Sequence, residues 1–185
     1  MQDNKPVEVV GLVGSARSIL LSGLLGLLIA ALSWYSNAPV LPSLVLFLNL
    51  FALSLYDIKS FRLPNLLTAT LFIVGAVFAF TFPRFTPFDH IIGGLIGLLF
   101  FPVLNLGYKA LRGRDGIGLG DAKLLAGAGI WLGWQGLPLV LLIGSLAGLS
   151  IGLVGMVAKG KKISETKIPF GPFLCLGIWI TWLFF

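Results

Sequence analysis

Residues 137–158 read LPLVLLIGSLAGLSIGLVGMVA, with no charged side chain between Gln135 and Lys159. At 1.5 Å per helical residue this stretch crosses the ~30 Å hydrocarbon core of a bilayer. A run this long and this apolar marks a transmembrane helix. Its glycines at 144, 148 and 152 recur every four residues, which places small side chains on one face for close helix packing. Working outward between polar breaks, six further runs emerge at about 18–35, 39–56, 65–82, 90–108, 121–134 and 170–185. The run at 121–134 is short and glycine-rich, so it is expected to be tilted, partly buried or continuous with 137–158.

Composition agrees with a polytopic α-helical membrane protein. Hydrophobic residues make up 57% of the 185 and charged residues only 11%, against roughly 25% charged in soluble domains. So few charges do not cover the surface of a soluble globule, and the apolar content rules out a disordered chain. The net charge of +6 does not mark a nucleic-acid binder, because no polar face gathers the basic residues. Placed on seven alternating helices with a cytoplasmic N-terminus, every basic residue except Arg84 falls on the cytoplasmic side: Lys5, Arg17, Lys59, Arg62, Lys109, Arg112, Arg114, Lys123, Lys159, Lys161, Lys162 and Lys167. That is the positive-inside pattern, and it brings the basic residues to the lipid headgroups.

The first run is read as a retained helix at 18–35 behind a cytoplasmic tail at 1–17. Lys5 and Arg17 also suit a signal peptide, but large Leu and Trp residues interleave with the small ones. Cys175 is the only cysteine and His90 the only histidine. They lie far apart in sequence and give no metal-ligand spacing. His90, beside Asp89 in a short polar break, is expected to be an interfacial loop residue.

Among the acidic residues, two lie at helix boundaries on the expected cytoplasmic side. Asp57 follows Leu53-Ser54-Leu55-Tyr56 at the end of the 39–56 run. Asp121 opens the 121–134 run after Gly116-Ile117-Gly118-Leu119-Gly120. Each has a structural explanation. Asp121 suits a helix N-cap, and Asp57 suits an interfacial residue beside Lys59. Together they suggest more, because carboxylates at membrane depth are expensive and are functional candidates by default. Each is followed by Lys at the second position, and the glycines before Asp121 permit unusual backbone angles and close approach of another chain. Two carboxylates in one site hold one proton between them. The ionised member can deprotonate water while the protonated member donates to a scissile carbonyl. Such chemistry calls for no metal and no organic cofactor.

Three segments carry a family resemblance. Tyr56-Asp57-Ile58-Lys59-Ser60-Phe61-Arg62-Leu63-Pro64-Asn65 resembles the first aspartate motif of the type IV prepilin peptidases. Gly118-Leu119-Gly120-Asp121-Ala122-Lys123 resembles their GxGD motif. Ile168-Pro169-Phe170-Gly171-Pro172-Phe173-Leu174 resembles their C-terminal segment. The match runs in order from about residue 39 to 185, and presenilin-type proteases share only the Tyr-Asp and Gly-Leu-Gly-Asp words. The resemblance implies an intramembrane aspartyl protease with Asp57 and Asp121 as the catalytic pair. Its substrates would be type IV prepilins or pseudopilins, of pilus or secretion systems, whose short basic leader is removed at the cytoplasmic face of the inner membrane.

The implied fold is all-α, a polytopic bundle with a six-helix peptidase core at 39–185 and one extra N-terminal helix. Lys59, Pro64, Gly118, Gly120, Lys123, Pro169, Phe170, Gly171 and Pro172 are the expected substrate-binding positions. With Cys175 as the only cysteine, the chain resembles a short form without the cysteine-containing domain of larger members, so methyltransferase activity is not expected. Pro169 and Pro172 keep the last helix from starting regularly. That leaves either an exposed backbone edge for an extended substrate or a helix N-terminus packed on a neighbour. Two rival functions remain at this stage. One is a small proton-coupled transporter; the other is a non-catalytic assembly protein of the same fold.

Overall fold

A computed structural model of the chain describes residues 28–29, 31–33, 35–36, 38–81, 86–113, 118–159 and 169–185, excepting the side chains of 156–159. The chain divides into two compact units, 1–44 and 45–185. In the first, Leu28, Ile29, Ala31, Leu32, Ser33 and Tyr35 are helical. Ala38 N–H donates to the Ser33 carbonyl at 2.9 Å. The expected tail at 1–17 and the start of the helix expected at 18–35 lie outside the described residues.

The only regular elements among the described residues are helices, with no strand. Helix α1 is Val40–Ser60, α2 is Asn65–Thr81, α3 is Pro87–Arg112, α4 is Leu119–Lys159 and α5 is Gly171–Phe184. Among the described residues three helices are long and apolar enough to cross a membrane: α1, α3 and residues 119–155 of α4. Helices α2 and α5 are apolar but shorter, at 17 and 14 residues. Large side chains such as Leu95, Leu99, Val103 and Leu111 are exposed, as they must be where the solvent is lipid. The chain is a polytopic helical membrane bundle.

The runs expected at 121–134 and 137–158 prove to be two arms of α4. No loop separates them; Gly133 alone breaks the helix, at φ 71° and ψ 172°. A straight helix of 41 residues would reach ~60 Å, about twice the hydrocarbon thickness. The contacts show how the break resolves this. The first arm (119–132) runs against α3, with Gly97 on the Leu125 backbone and Gly93 on Gly129. The second arm (134–159) runs against α5, with Gly136 by Thr181, Gly177 by the Val140 carbonyl, and Gly144 and Gly148 by Phe173. Trp131 packs edge-on against Trp182. The end of the first arm and the start of the second therefore both meet the C-terminal end of α5, and the second arm returns toward the end where the first began.

Breaking a helix leaves its last carbonyls without partners. His90 Nδ1 donates to one of them, the Ile130 carbonyl, at 2.8 Å. His90 is 3% exposed and sits in the first turn of α3, so the expected loop position is corrected. The cause is a capping box that starts α3 at Pro87: Thr86 accepts from the Asp89 N–H, and Asp89 Oδ2 accepts from the Thr86 N–H at 3.0 Å. Asp89 Oδ1 also accepts from Trp134 Nε1 and Gln135 Nε2, at 2.9 and 3.0 Å. The start of α3 is thus pinned across the break in α4.

The tightest packing is not at the glycines singled out in sequence. Gly144 and Gly148 do pack on Phe173, at 3.2 and 3.3 Å for an added Cβ. A Cβ on Gly93, Gly97 or Gly129, however, would fall on backbone atoms of the facing helix, and no side chain can turn aside there. Gly129→Ala is expected to lower stability by at least ~1–3 kcal/mol, the usual range for overpacking. Gly107→Ala, where an added Cβ meets nothing within 4 Å, should change it by no more than ~1 kcal/mol, in the stabilising direction. Thermal unfolding of the two variants in detergent makes the comparison.

Candidate active site

Four chain segments converge at one end of the second unit: the end of α1, the link to α2, the start of α4 and the start of α5. Each is placed by local chemistry. Helix α1 continues past the expected boundary at 56 to Ser60, so Asp57 lies in its last turn. It stops at Phe61, whose φ of 52° is left-handed and uncommon for a bulky residue. The Phe61 N–H returns to the Asp57 carbonyl at 2.8 Å, and the Ser60 hydroxyl donates to the Tyr56 carbonyl at 2.7 Å. Pro64 then opens α2, its carbonyl accepting from the Thr68 N–H at 3.1 Å.

The elements hold a common register. Asn49 Nδ2 of α1 donates to Thr70 Oγ1 of α2 at 2.9 Å. Trp131 Nε1 of α4 donates to the Leu71 carbonyl at 2.8 Å. Phe47 of α1 stacks edge-on against Trp179 of α5, with ring centroids 5.1 Å apart. Helix α5 therefore runs antiparallel to α1 and delivers its N-terminus to Asp57.

Asp57 and Asp121 line one cavity of about 630 Å³. Asp57 is only 6% exposed. Its Oδ2 accepts the Gly171 N–H at 3.0 Å, so a carboxylate meets the positive end of the α5 dipole. Asp121 stands in the first turn of α4. Lys123, two residues further along, donates from Nζ to Asn65 Oδ1 at 2.7 Å, tying the start of α4 to the start of α2. Phe170 also lines the cavity and packs edge-on against Phe101 of α3.

Of the expected substrate-binding residues, Pro64, Gly118, Gly120, Lys123, Pro169 and Phe170 line this cavity. Lys59 is exposed and is not part of the lining. Gly171 and Pro172 are not part of it either; Gly171 instead supports Asp57 from behind. That hydrogen bond narrows the two readings of the 169–172 segment. Two of its residues are prolines without an N–H, and the Gly171 N–H is engaged. Phe170 already has helical angles, with its carbonyl accepting from Phe173 and Leu174. The segment is a helix N-terminus packed on a neighbour, and the extended backbone edge is not there.

The glycine loop also differs from expectation. Neither Gly118 nor Gly120 has a positive φ. A Cβ at either would make ordinary contacts, 3.7 Å from Asp121 Oδ2 and 3.5 Å from Leu63. These glycines keep the cavity wall low; nothing in this conformation demands them. Gly116 lies outside the described residues.

Sequence reasoning left Phe61, Arg62, Leu63 and Asn65 out of the binding set, yet all four line the cavity. Their signal was position, immediately after Asp57 in a link too short to lead away from it. The Lys123–Asn65 bond joins residues remote in sequence and had no signal. Because it is solvent-accessible, Asn65→Ala and Lys123→Met should each lower stability by no more than ~1 kcal/mol. The double variant should lose less than the sum of the two, as expected for contacting partners. Thermal unfolding of the three variants checks this.

Comparison with known proteins follows the same segments. Residues 44–153 match the type IV leader peptidase family. The chain is 38% identical over 172 residues to the prepilin leader peptidase/N-methyltransferase of Aeromonas hydrophila, covering 91% of this chain and 59% of that one. It is 35% identical over 156 residues to the protein of the same name from Pectobacterium carotovorum subsp. carotovorum, covering 83% and 55%. For the Burkholderia pseudomallei (strain K96243) protein of that name, identity is 41% over 128 residues, covering 69% and 41%. The chain thus spans little more than half the length of the first of these relatives. No solved structure matches it.

Proposed function

The chain belongs to the type IV leader peptidase family, and from that premise we propose that it is a membrane-embedded aspartyl endopeptidase acting on prepilin or pseudopilin precursors. The observation that carries this reading is the meeting of Asp57 and Asp121, remote in sequence, in one cavity at one end of the bundle. The ionised carboxylate takes a proton from water, and the resulting hydroxide adds to the scissile carbonyl carbon. The protonated carboxyl donates to the carbonyl oxygen. Collapse of the tetrahedral intermediate breaks the C–N bond. The proton taken from water passes to the leaving amine, and the dyad recovers its single proton.

We assign the aspartate end to the cytoplasmic side. Lys59, Arg62, Lys109, Arg112 and Lys123 belong to helix ends or links on that side of the second unit, as the positive-inside rule requires. The exposed apolar face of α3 that carries Leu95, Leu99 and Val103 is assigned to lipid. The substrate reaches the cavity where its own apolar helix leaves the membrane. The residues proposed to contact it are those of the cavity wall: Phe61, Arg62, Pro64, Gly118, Gly120, Lys123, Pro169 and Phe170.

The test is co-expression with a prepilin, following loss of the leader by gel mobility, with Asp57→Asn and Asp121→Asn alongside. Processing by the unaltered chain and none by either variant is the expected result. Processing that persists unchanged in a folded variant would remove the dyad, and with it this function.

A further inference from the structure

We propose that Phe61 is kept at the expense of stability so that its ring can hold the substrate at the water side of the aspartate cavity. This rests on the peptidase reading above. Helix α1 ends at Ser60, and the chain folds back at once. The Ser60 hydroxyl reaches the carbonyls of Tyr56 and Arg62, at 2.7 and 3.2 Å. Arg62, Leu63, Pro64 and Asn65 are thereby turned onto the cavity. The return is made by the left-handed residue at 61, whose N–H closes on the Asp57 carbonyl at 2.8 Å. Glycine is the usual residue in this conformation just past a helix end, with asparagine next. Other side chains bring their Cβ against the following carbonyl oxygen. The turn therefore accounts for a φ of 52° and does not account for phenylalanine.

Packing does not account for it either. Phe61 is 54% exposed, so the bundle buries only part of its ring. Strained residues persist where the surrounding structure over-determines them, and they cluster at active sites. The Phe61 ring lines the cavity that holds Asp57 and Asp121. Its height in that wall is set by α1. Phe61 follows Asp57 by four residues, about one helical turn, so it stands ~5 Å further from the membrane interior. In the orientation assigned above, a precursor leaving the bilayer past the aspartates meets the ring just beyond the cleaved bond, on the leader side. Pro64, Pro169 and Phe170 continue the apolar part of the wall. Burial of the exposed part of the ring is the same in the bound precursor and in the transition state, so the contact acts on KM.

The assay uses the full chain in detergent, with steady-state cleavage of a purified precursor and thermal unfolding measured on each variant. Phe61→Gly and Phe61→Asn suit the left-handed turn and remove the ring. Both should unfold at a temperature no lower than the unaltered chain, yet show a KM about 5–10-fold higher, the effect of losing half a phenylalanine's burial. Their kcat should change by less than about threefold. Phe61→Tyr keeps the ring and should hold KM within about twofold. A higher KM that accompanies a lower unfolding temperature in both ring-less variants would show that the ring serves the fold, and would overturn the proposal. So would an unchanged KM in both, as for a ring that rests only at the membrane interface. If Asp121→Asn cleaves the precursor as fast as the unaltered chain, the peptidase reading itself fails. With Asp121→Asn inactive, an unchanged KM removes the role of Phe61 alone.

Discussion

Asp57→Asn and Asp121→Asn should each slow precursor cleavage by about 10²–10⁴-fold, the usual contribution of a positioned general acid or base. The loss corresponds to roughly 3–5 kcal/mol of transition-state stabilisation. The fold should survive both changes. Asn keeps a carbonyl oxygen that can accept the Gly171 N–H, so α1 and α5 remain joined. The replacement also removes the electrostatic strain of two carboxylates lining one cavity, so thermal stability should not fall. What Asn cannot do is exchange a proton with water or with the scissile carbonyl. The proposed mechanism has the pair act as a unit, so the double variant should be about as slow as the slower single one. Single-turnover cleavage of purified precursor, with thermal unfolding as the control, measures both quantities. Retention of activity to within tenfold by either folded variant would contradict a shared role.

Gly171→Ala is expected to be the next most damaging change, at a residue that carries no chemistry. An added Cβ would stand 2.6 Å from Asp57 Oδ2 and 3.0 Å from its Cγ. Asp57 is 6% exposed and its side chain is short, so the carboxylate has little room to step back. Either it rotates away and loses the 3.0 Å hydrogen bond, or the start of α5 shifts. A displacement of about 1 Å at a reacting group lowers the rate by about 10²-fold, and overpacking lowers stability by ~1–3 kcal/mol. The loss should fall on kcat more than on KM, since Gly171 is not part of the cavity wall. Gly118→Ala is the comparison within the same site. Its Cβ would lie at an ordinary 3.7 Å from Asp121 Oδ2, and its activity should stay within about 10-fold of the unaltered chain. Equal effects of the two substitutions would show that the Gly171–Asp57 contact does not hold the carboxylate in place.

Much of the bundle could be read directly because hydrophobicity is summed over long windows. Five of the apolar runs correspond to the described helices and to the first arm of α4, and the run at 137–158 corresponds to its second arm. The errors were local. Helix α1 continues to Ser60 because the link is closed by a left-handed Phe61, which hydropathy does not register. His90 was read as a loop residue because a polar Thr86–Asp89 pair looks like a break. The same pair is a capping box that begins α3, and its Thr-x-x-Asp spacing was visible. The glycines at 93, 97 and 129 were passed over for the more regular series at 144, 148 and 152. Periodicity shows that a face is small, and only a partner shows how closely it is approached.

The sequence was sufficient for the class of protein, the order of its helices and the position of two acidic residues at helix ends, since each rests on a property of one segment: its length, its charge or its scarcity of acids. It could also point to a family, because the three motifs are contiguous words. The alternating runs already called for a return between 121–134 and 137–158; that Gly133 alone makes it, at φ 71°, was beyond the sequence. So were the Gly171 N–H on Asp57 and the Lys123–Asn65 bond. Each of these joins groups from different helices. Their distances depend on how closely backbones pack, and no local pattern of residues specifies that.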